Sequence, residues 1–96
     1  MKLKNKLSII TGGGRGIGRA ISIAFAREGA HLILAARTET ELQDVAAECT
    51  NLGSKVSTYQ TDVADPDQVN QLVYFALEQF SEVDILVNNA GILGPV

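Results

Sequence analysis

Gly12, Gly16 and Gly18, set in the stretch Thr11-Gly12-Gly13-Gly14-Arg15-Gly16-Ile17-Gly18 directly after the apolar run Leu7-Ser8-Ile9-Ile10, form the pattern in this chain best suited to chemistry. A buried strand that turns sharply into a helix presents free backbone amides where a pyrophosphate can be held, and glycines keep side chains out of its way. Spacing narrows the choice of phosphate loop. The general dinucleotide fingerprint Gly-x-Gly-x-x-Gly fails in every register, because Ile17, Arg19 and Ile21 stand where the third glycine belongs. The Walker pattern fails too, since Gly13 and Gly18 have the right gap but are followed by Arg19-Ala20. What remains is Gly12-x-x-x-Gly16-x-Gly18. In it Gly12 permits the turn out of the strand, Gly16 allows close approach of a ligand, and Gly18 lets the helix pack on the sheet.

Other reactive residue types are sparse. His31 is the single histidine and opens an apolar run, and nothing clusters with it as metal ligands would. Ser8, Ser22, Ser54, Ser57 and Ser81 have no histidine that the pattern would bring beside them. Cys49 is the single cysteine, so no internal disulfide exists. It shares a helical stripe with Leu42, Val45 and Ala46 and reads as a small core hydrophobe. This fits a reducing compartment and an expected cytoplasmic location. A net charge of −3, with the basic residues scattered, argues against a nucleic-acid or membrane surface. The basic start Met1 to Lys6 is followed by too few apolar residues for a signal peptide or a membrane span.

The elements that must position these residues alternate along the chain. Ninety-six residues, 46% hydrophobic and 20% charged, describe one globular α/β unit. A chain of this length buries roughly 60–65% of its unfolded surface, a marginal core when folded alone. Leu7 to Ile10 is a first strand, and Ile17, Ala20, Ile21, Ala24 and Phe25 repeat at helical spacing until Gly29. His31 to Ala35 is a second strand, apolar at consecutive positions as when both faces are covered. Thr38 and Glu41 have capping-box spacing, ahead of a helix that buries Leu42, Val45, Ala46 and Cys49 and closes near Gly53. Lys55 to Gln60 is a third, weaker strand. Asp65-Pro66 starts a helix whose face is Val69, Leu72, Val73, Ala76 and Phe80. Asp84 to Val87 is a fourth strand, running into Asn88-Asn89-Ala90-Gly91. The order βαβαβαβ implies a parallel sheet with right-handed crossovers, half of a Rossmann-type doubly wound architecture.

In that frame the motifs resemble those of the short-chain dehydrogenase/reductase family. Thr11 to Gly18 is similar to its Thr-Gly-x-x-x-Gly-x-Gly cofactor motif, and Asn88-Asn89-Ala90-Gly91 to its second motif at the end of the fourth strand. Asp62-Val63, after the third strand, is similar to the pair that flanks the adenine ring. The resemblance spans essentially all of residues 1–96. It implies that Asn88 and Asn89 hold the central sheet while backbone at Ala90 and Gly91 passes close to the cofactor ribose.

The end of the second strand bears on which nicotinamide cofactor is bound. An NAD site usually places a carboxylate there for the ribose 2′-hydroxyl, and such a carboxylate repels a 2′-phosphate. Here the aligned residue is Ala36, followed by Arg37, with Arg15 in the glycine loop. Two guanidiniums can pair with a phosphate through charge-assisted hydrogen bonds, and Thr38 can add a hydroxyl. Glu39 and Glu41 are the acids nearby. NADP(H) is expected in preference to NAD(H). The expected cofactor-binding residues are Gly12, Gly14, Arg15, Gly16, Ile17, Gly18, Arg37, Thr38, Asp62, Val63, Asn89, Ala90 and Gly91.

The resemblance implies hydride transfer between nicotinamide and a carbonyl or alcohol, with a tyrosine as acid/base, a lysine four residues later and a serine that orients the substrate. Tyr59 and Tyr74 are the only tyrosines, and Val63 and Glu78 stand four residues on, so no catalytic residue is assigned. Residues 1–96 are therefore expected to be the N-terminal dinucleotide-binding half of a longer oxidoreductase. By the same resemblance the parent associates with copies of itself and acts on a small carbonyl or alcohol. In isolation this piece would leave Val83 to Val87 as an exposed edge strand. The competing reading from another class is a nucleotide-binding or dimerising module that turns over nothing.

Overall fold

A computed structural model describes residues 2–12, 14 and 16–88. The elements are β1 (Leu7–Thr11), α1 (Gly16–Arg27), β2 (His31–Ala36), a 3₁₀ turn (Glu39–Leu42), α2 (Gln43–Asn51), β3 (Val56–Gln60), α3 (Pro66–Gln79) and β4 (Ile85–Asn88). The strands pair in parallel in the order β3-β2-β1-β4. The chain steps outward from β1 to β3 and then crosses to the far side of β1, so the direction of winding reverses at β1, where a doubly wound sheet opens a crevice at its strand ends.

Consecutive apolar strand residues point to opposite faces, and each face has its own cover. Ile10, Leu32 and Leu34 pack with Ala26 of α1 and with Val45 and Cys49 of α2. Leu7, Ile9, Ile33 and Ala35 pack on the other side with Leu72 and Ala76 of α3. Because β1 and β2 are covered twice, they show no polar alternation. At β3, on the edge, Val56 to Tyr59 are only partly buried and Gln60 is exposed. The α/β half-sheet expected from the sequence is the architecture observed.

Three local expectations are corrected. In α1 the fully buried stripe is Gly18, Ser22 and Ala26, whereas Ile17, Ala20 and Ala24 are exposed and Ile21 and Phe25 lie half-buried at its flank. The cause is steric: small residues at i, i+4 and i+8 admit the helix close to the sheet, and the Ser22 hydroxyl is satisfied by donating to the Gly18 carbonyl at 2.8 Å. The Thr38 to Glu41 capping box does not form. Thr38 is extended with no side-chain cap bond, and the Glu41 N–H donates to the Thr38 carbonyl at 3.1 Å, closing a 3₁₀ turn ahead of α2. In α3, Val73 is exposed while Leu72 and Ala76 carry the packing. The cap of α3 forms as expected, with the Asp65 carboxylate accepting from the Asp67 N–H at 3.0 Å.

Candidate functional site

The three strand ends β1, β2 and β3 meet at a cavity of about 450 Å³. Gly12 leaves β1 with φ 67° and Gly16 opens α1 with φ 60°. This left-handed region costs an L side chain about 1–2 kcal/mol, which is why glycine stands at both. The Gly12 N–H donates to the Ala35 carbonyl at 2.8 Å, fastening the turn beside the end of β2. Gly14 lies on the 3₁₀ turn, so close that a Cβ would come 2.5 Å from the Glu41 carbonyl oxygen. Gly18 is buried against the sheet, and Ile17 is 63% exposed at the start of α1.

The cavity is lined by Gly12, by Ala35 to Thr38 with Glu41, and by Thr61 to Ala64. Five of the expected residues are thereby brought together: Gly12, Arg37, Thr38, Asp62 and Val63. Arg15, Asn89, Ala90 and Gly91 lie outside the described residues, as does Gly13. Arg37 is exposed, and its carbonyl accepts from the Gln60 side-chain amide at 2.9 Å, which fixes the backbone that presents the guanidinium. Glu39 is turned to β3, where its carboxylate accepts from the Thr58 hydroxyl at 2.9 Å. Glu41 and Asp62 are the acids that share the cavity wall with Arg37.

Asp62 combines two tasks. It lines the cavity, and its carboxylate accepts from the Ala64 N–H at 2.9 Å, shaping the turn that carries Val63. Thr61, Ala64 and Glu41 are lining residues that motif matching missed. Thr61 enters the wall by continuing the line of β3 one position past Gln60, its N–H donating to the Ala36 carbonyl at 2.9 Å. Across β1, the Thr11 hydroxyl lies 3.1 Å from Asn88 Oδ1 and 3.3 Å from the Val87 carbonyl, so Asn88 ties the sheet centre together as expected.

His31, Tyr59 and Cys49 are each engaged in packing contacts. The His31 ring stacks on Phe80 with centroids 5.7 Å apart, and its Nδ1 accepts from the Lys55 N–H at 3.3 Å. Tyr59 packs on the Phe75 ring at 4.7 Å. Burial pushes the Cys49 thiol above its ordinary pKa, Glu48 adds to the rise and Arg19 opposes it. Among the described residues no group of histidine, cysteine and carboxylate side chains could hold a metal ion. No described helix is long and apolar enough to cross a membrane.

A parallel sheet with helices on both faces, a glycine turn after its central strand and a cavity at the strand ends define a Rossmann-like α/β protein. The family model for short chain dehydrogenases matches residues 6–96, and the chain belongs to that family. An uncharacterized oxidoreductase of Mycobacterium tuberculosis is 43% identical over 90 residues, covering 94% of this chain and 34% of the relative. FabG of Thermotoga maritima, a 3-oxoacyl-(acyl-carrier-protein) reductase, is 38% identical over 92 residues, covering 96% of this chain and 37% of that protein. The crystal structure of L-sorbose reductase from Gluconobacter frateurii, complexed with NADPH and L-sorbose, superposes with a TM-score of 0.85 at 39% identity. That match covers 93% of this chain and 35% of the reductase. The chain thus spans about a third of the length of the relatives it matches.

Proposed function

We propose that residues 1–96 are the N-terminal cofactor-binding half of an NADP(H)-dependent short-chain dehydrogenase/reductase. The parent would interconvert a small carbonyl compound and its alcohol. The observation that carries the choice of cofactor is the cavity wall after β2, where Ala36 stands in place of an acid and Arg37 and Thr38 follow it. A carboxylate at Ala36 would favour a 2′-hydroxyl, whereas Arg37 supplies a cation to a 2′-phosphate. The NADPH named in the L-sorbose reductase complex supports the same preference.

The residues present fit such a cofactor. Gly12, Gly14 and Gly16 would leave backbone accessible to the pyrophosphate, with Arg15, Ile17 and Gly18 continuing the loop into α1. Asp62 and Val63 would flank the adenine, and Asn89, Ala90 and Gly91 would follow the ribose at the end of β4. The bound nicotinamide supplies the hydride chemistry; this chain's part is to orient the dinucleotide. The parent is read as a cytoplasmic homo-oligomer that engages neither nucleic acid nor membrane. Fluorescence titration of NADPH and NADH tests the reading. NADPH is expected to bind at least about tenfold more tightly, a difference of about 1.4 kcal/mol. Equal affinities, or a preference for NADH, would reject it.

A further inference from the structure

We propose that Gln68, in the first turn of α3, is a positioning residue for the adenosine wall of the cavity, an inference that rests on the dinucleotide reading above. Its side chain uses both ends. Oε1 accepts from the Asp62 N–H at 2.8 Å, and Nε2 donates to Asp65 Oδ2 at 3.1 Å. The other oxygen of the same carboxylate, Asp65 Oδ1, caps α3 through the Asp67 N–H at 3.0 Å. One amide thereby couples the helix cap to the backbone of a cavity-lining residue.

The remaining bonds show why this one matters. At its near end the loop is fastened to β2 by the Thr61 N–H, and within itself it is closed by Ala64 N–H to Asp62 Oδ1 and by Asp65 N–H to the Asp62 carbonyl at 3.0 Å. Those internal bonds set the shape of the turn but not its angle to the helix. Among the described residues, Gln68 is the side chain that joins the middle of the loop to α3. The chemistry also selects an amide. Glutamine offers an acceptor and a donor on adjacent atoms, whereas glutamate would face the Asp65 carboxylate with acceptors alone and lysine would face the Asp62 N–H with donors alone. Loss of the acceptor would leave a part-buried N–H to find a new partner, and the loop would turn to provide one.

The test uses the whole chain with two substitutions, Gln68→Met and Gln68→Glu, and 2′,5′-ADP as the probe of the adenosine half. Gln68→Met keeps the length of the side chain and removes both bonds. It should weaken 2′,5′-ADP about five- to twentyfold and speed exchange of the Asp62 amide proton by a similar factor, read by NMR. Gln68→Glu retains the acceptor opposite Asp62 but sets a carboxylate against that of Asp65, so it should lose less than Gln68→Met and fall between it and the parent chain in both readings. Wild-type affinity and exchange in Gln68→Met would overturn the inference while leaving the NADP(H) reading intact. Equal losses in the two variants would overturn it as well, since the acceptor would then not be the cause. If the unaltered chain bound neither 2′,5′-ADP nor NADPH, the cofactor reading would fall and this inference with it.

Discussion

At the scale of single residues, the proposed preference for NADP(H) turns on charge at one position. Replacing Arg37 with alanine removes a cation from the cavity wall, and its carbonyl, held by Gln60, keeps the backbone in place. The Arg37→Ala variant should lose about tenfold or more in NADPH affinity and less than about twofold for NADH, measured by the same titration. Ser8 presents the opposite problem, a hydroxyl fully buried in β1 with no hydrogen-bond partner among the described residues. An unsatisfied buried hydroxyl costs about 1–3 kcal/mol, so Ser8→Ala should raise stability by about 1 kcal/mol in denaturant melts. Cys49 adds a dependence on pH. Its thiol pKa is raised in the folded chain, chiefly by burial. The stability this contributes is intact below the pKa of the unfolded thiol and is lost as pH rises through the folded value. Between neutral pH and about pH 10 the denaturation midpoint should fall, and by less in Cys49→Ala.

Elements were legible where their signal was chemical and less so where it was steric. Asp65-Pro66 marked the start of α3 because a carboxylate acceptor and a missing N–H both suit a helix N-terminus, and the cap is there. Asp65→Ala should destabilise the chain by about 1 kcal/mol, with α3 fraying first in hydrogen exchange. In the buried face of α1 only Gly18 was read from the loop motif, and Ser22 and Ala26 escaped a reading by hydrophobicity because they are small or polar. Only the nearness of the sheet gives small side chains their value. Thr38 and Glu41 had the right spacing for a capping box, yet the backbone closed the turn without the hydroxyl. Of the candidate site, the glycine turn, Arg37, Thr38, Asp62 and Val63 were legible from motif and strand position. Thr61 and Ala64 were not, because they enter the wall through strand register and a local turn, and Glu41 was read as an acid nearby without being placed in the wall. On the second face of the sheet the packing rests on few side chains. Leu72, 2% exposed between β1 and β2, should cost about 2–5 kcal/mol when cut to alanine.

For the molecule as a whole, the alternation of strands and helices was sufficient to indicate a parallel sheet, since parallel neighbours need crossovers of helical length. The strand order follows less directly, because the sequence pattern does not say on which side of β1 the fourth strand will lie. That choice is made by contacts far apart in the chain, such as Leu7 N–H to the Asp84 carboxylate at 2.9 Å. β4 remains the less protected side, with Leu86 65% exposed beside an apolar cavity of about 380 Å³ that Val63, Val73 and Val83 help to line. Among the described residues no strand pairs with the outer side of β4, and an unpaired parallel edge invites association, so Leu86→Lys should reduce concentration-dependent sedimentation of residues 1–96.

The pairing of Thr11 with Asn88, 77 positions apart, has a consequence in time as well as in space. β1 is made first yet sits in the interior of the sheet, so one of its sides has no strand to bind until the residues of β4 have left the ribosome. At about 5–20 residues per second, that interval is roughly 4–15 s. Throughout it, β2 and the helices on one face can assemble, while Ile9 and its neighbours wait with open amides and carbonyls. The first strand to be made is thus among the last to be fully paired, although it is interior to the described sheet.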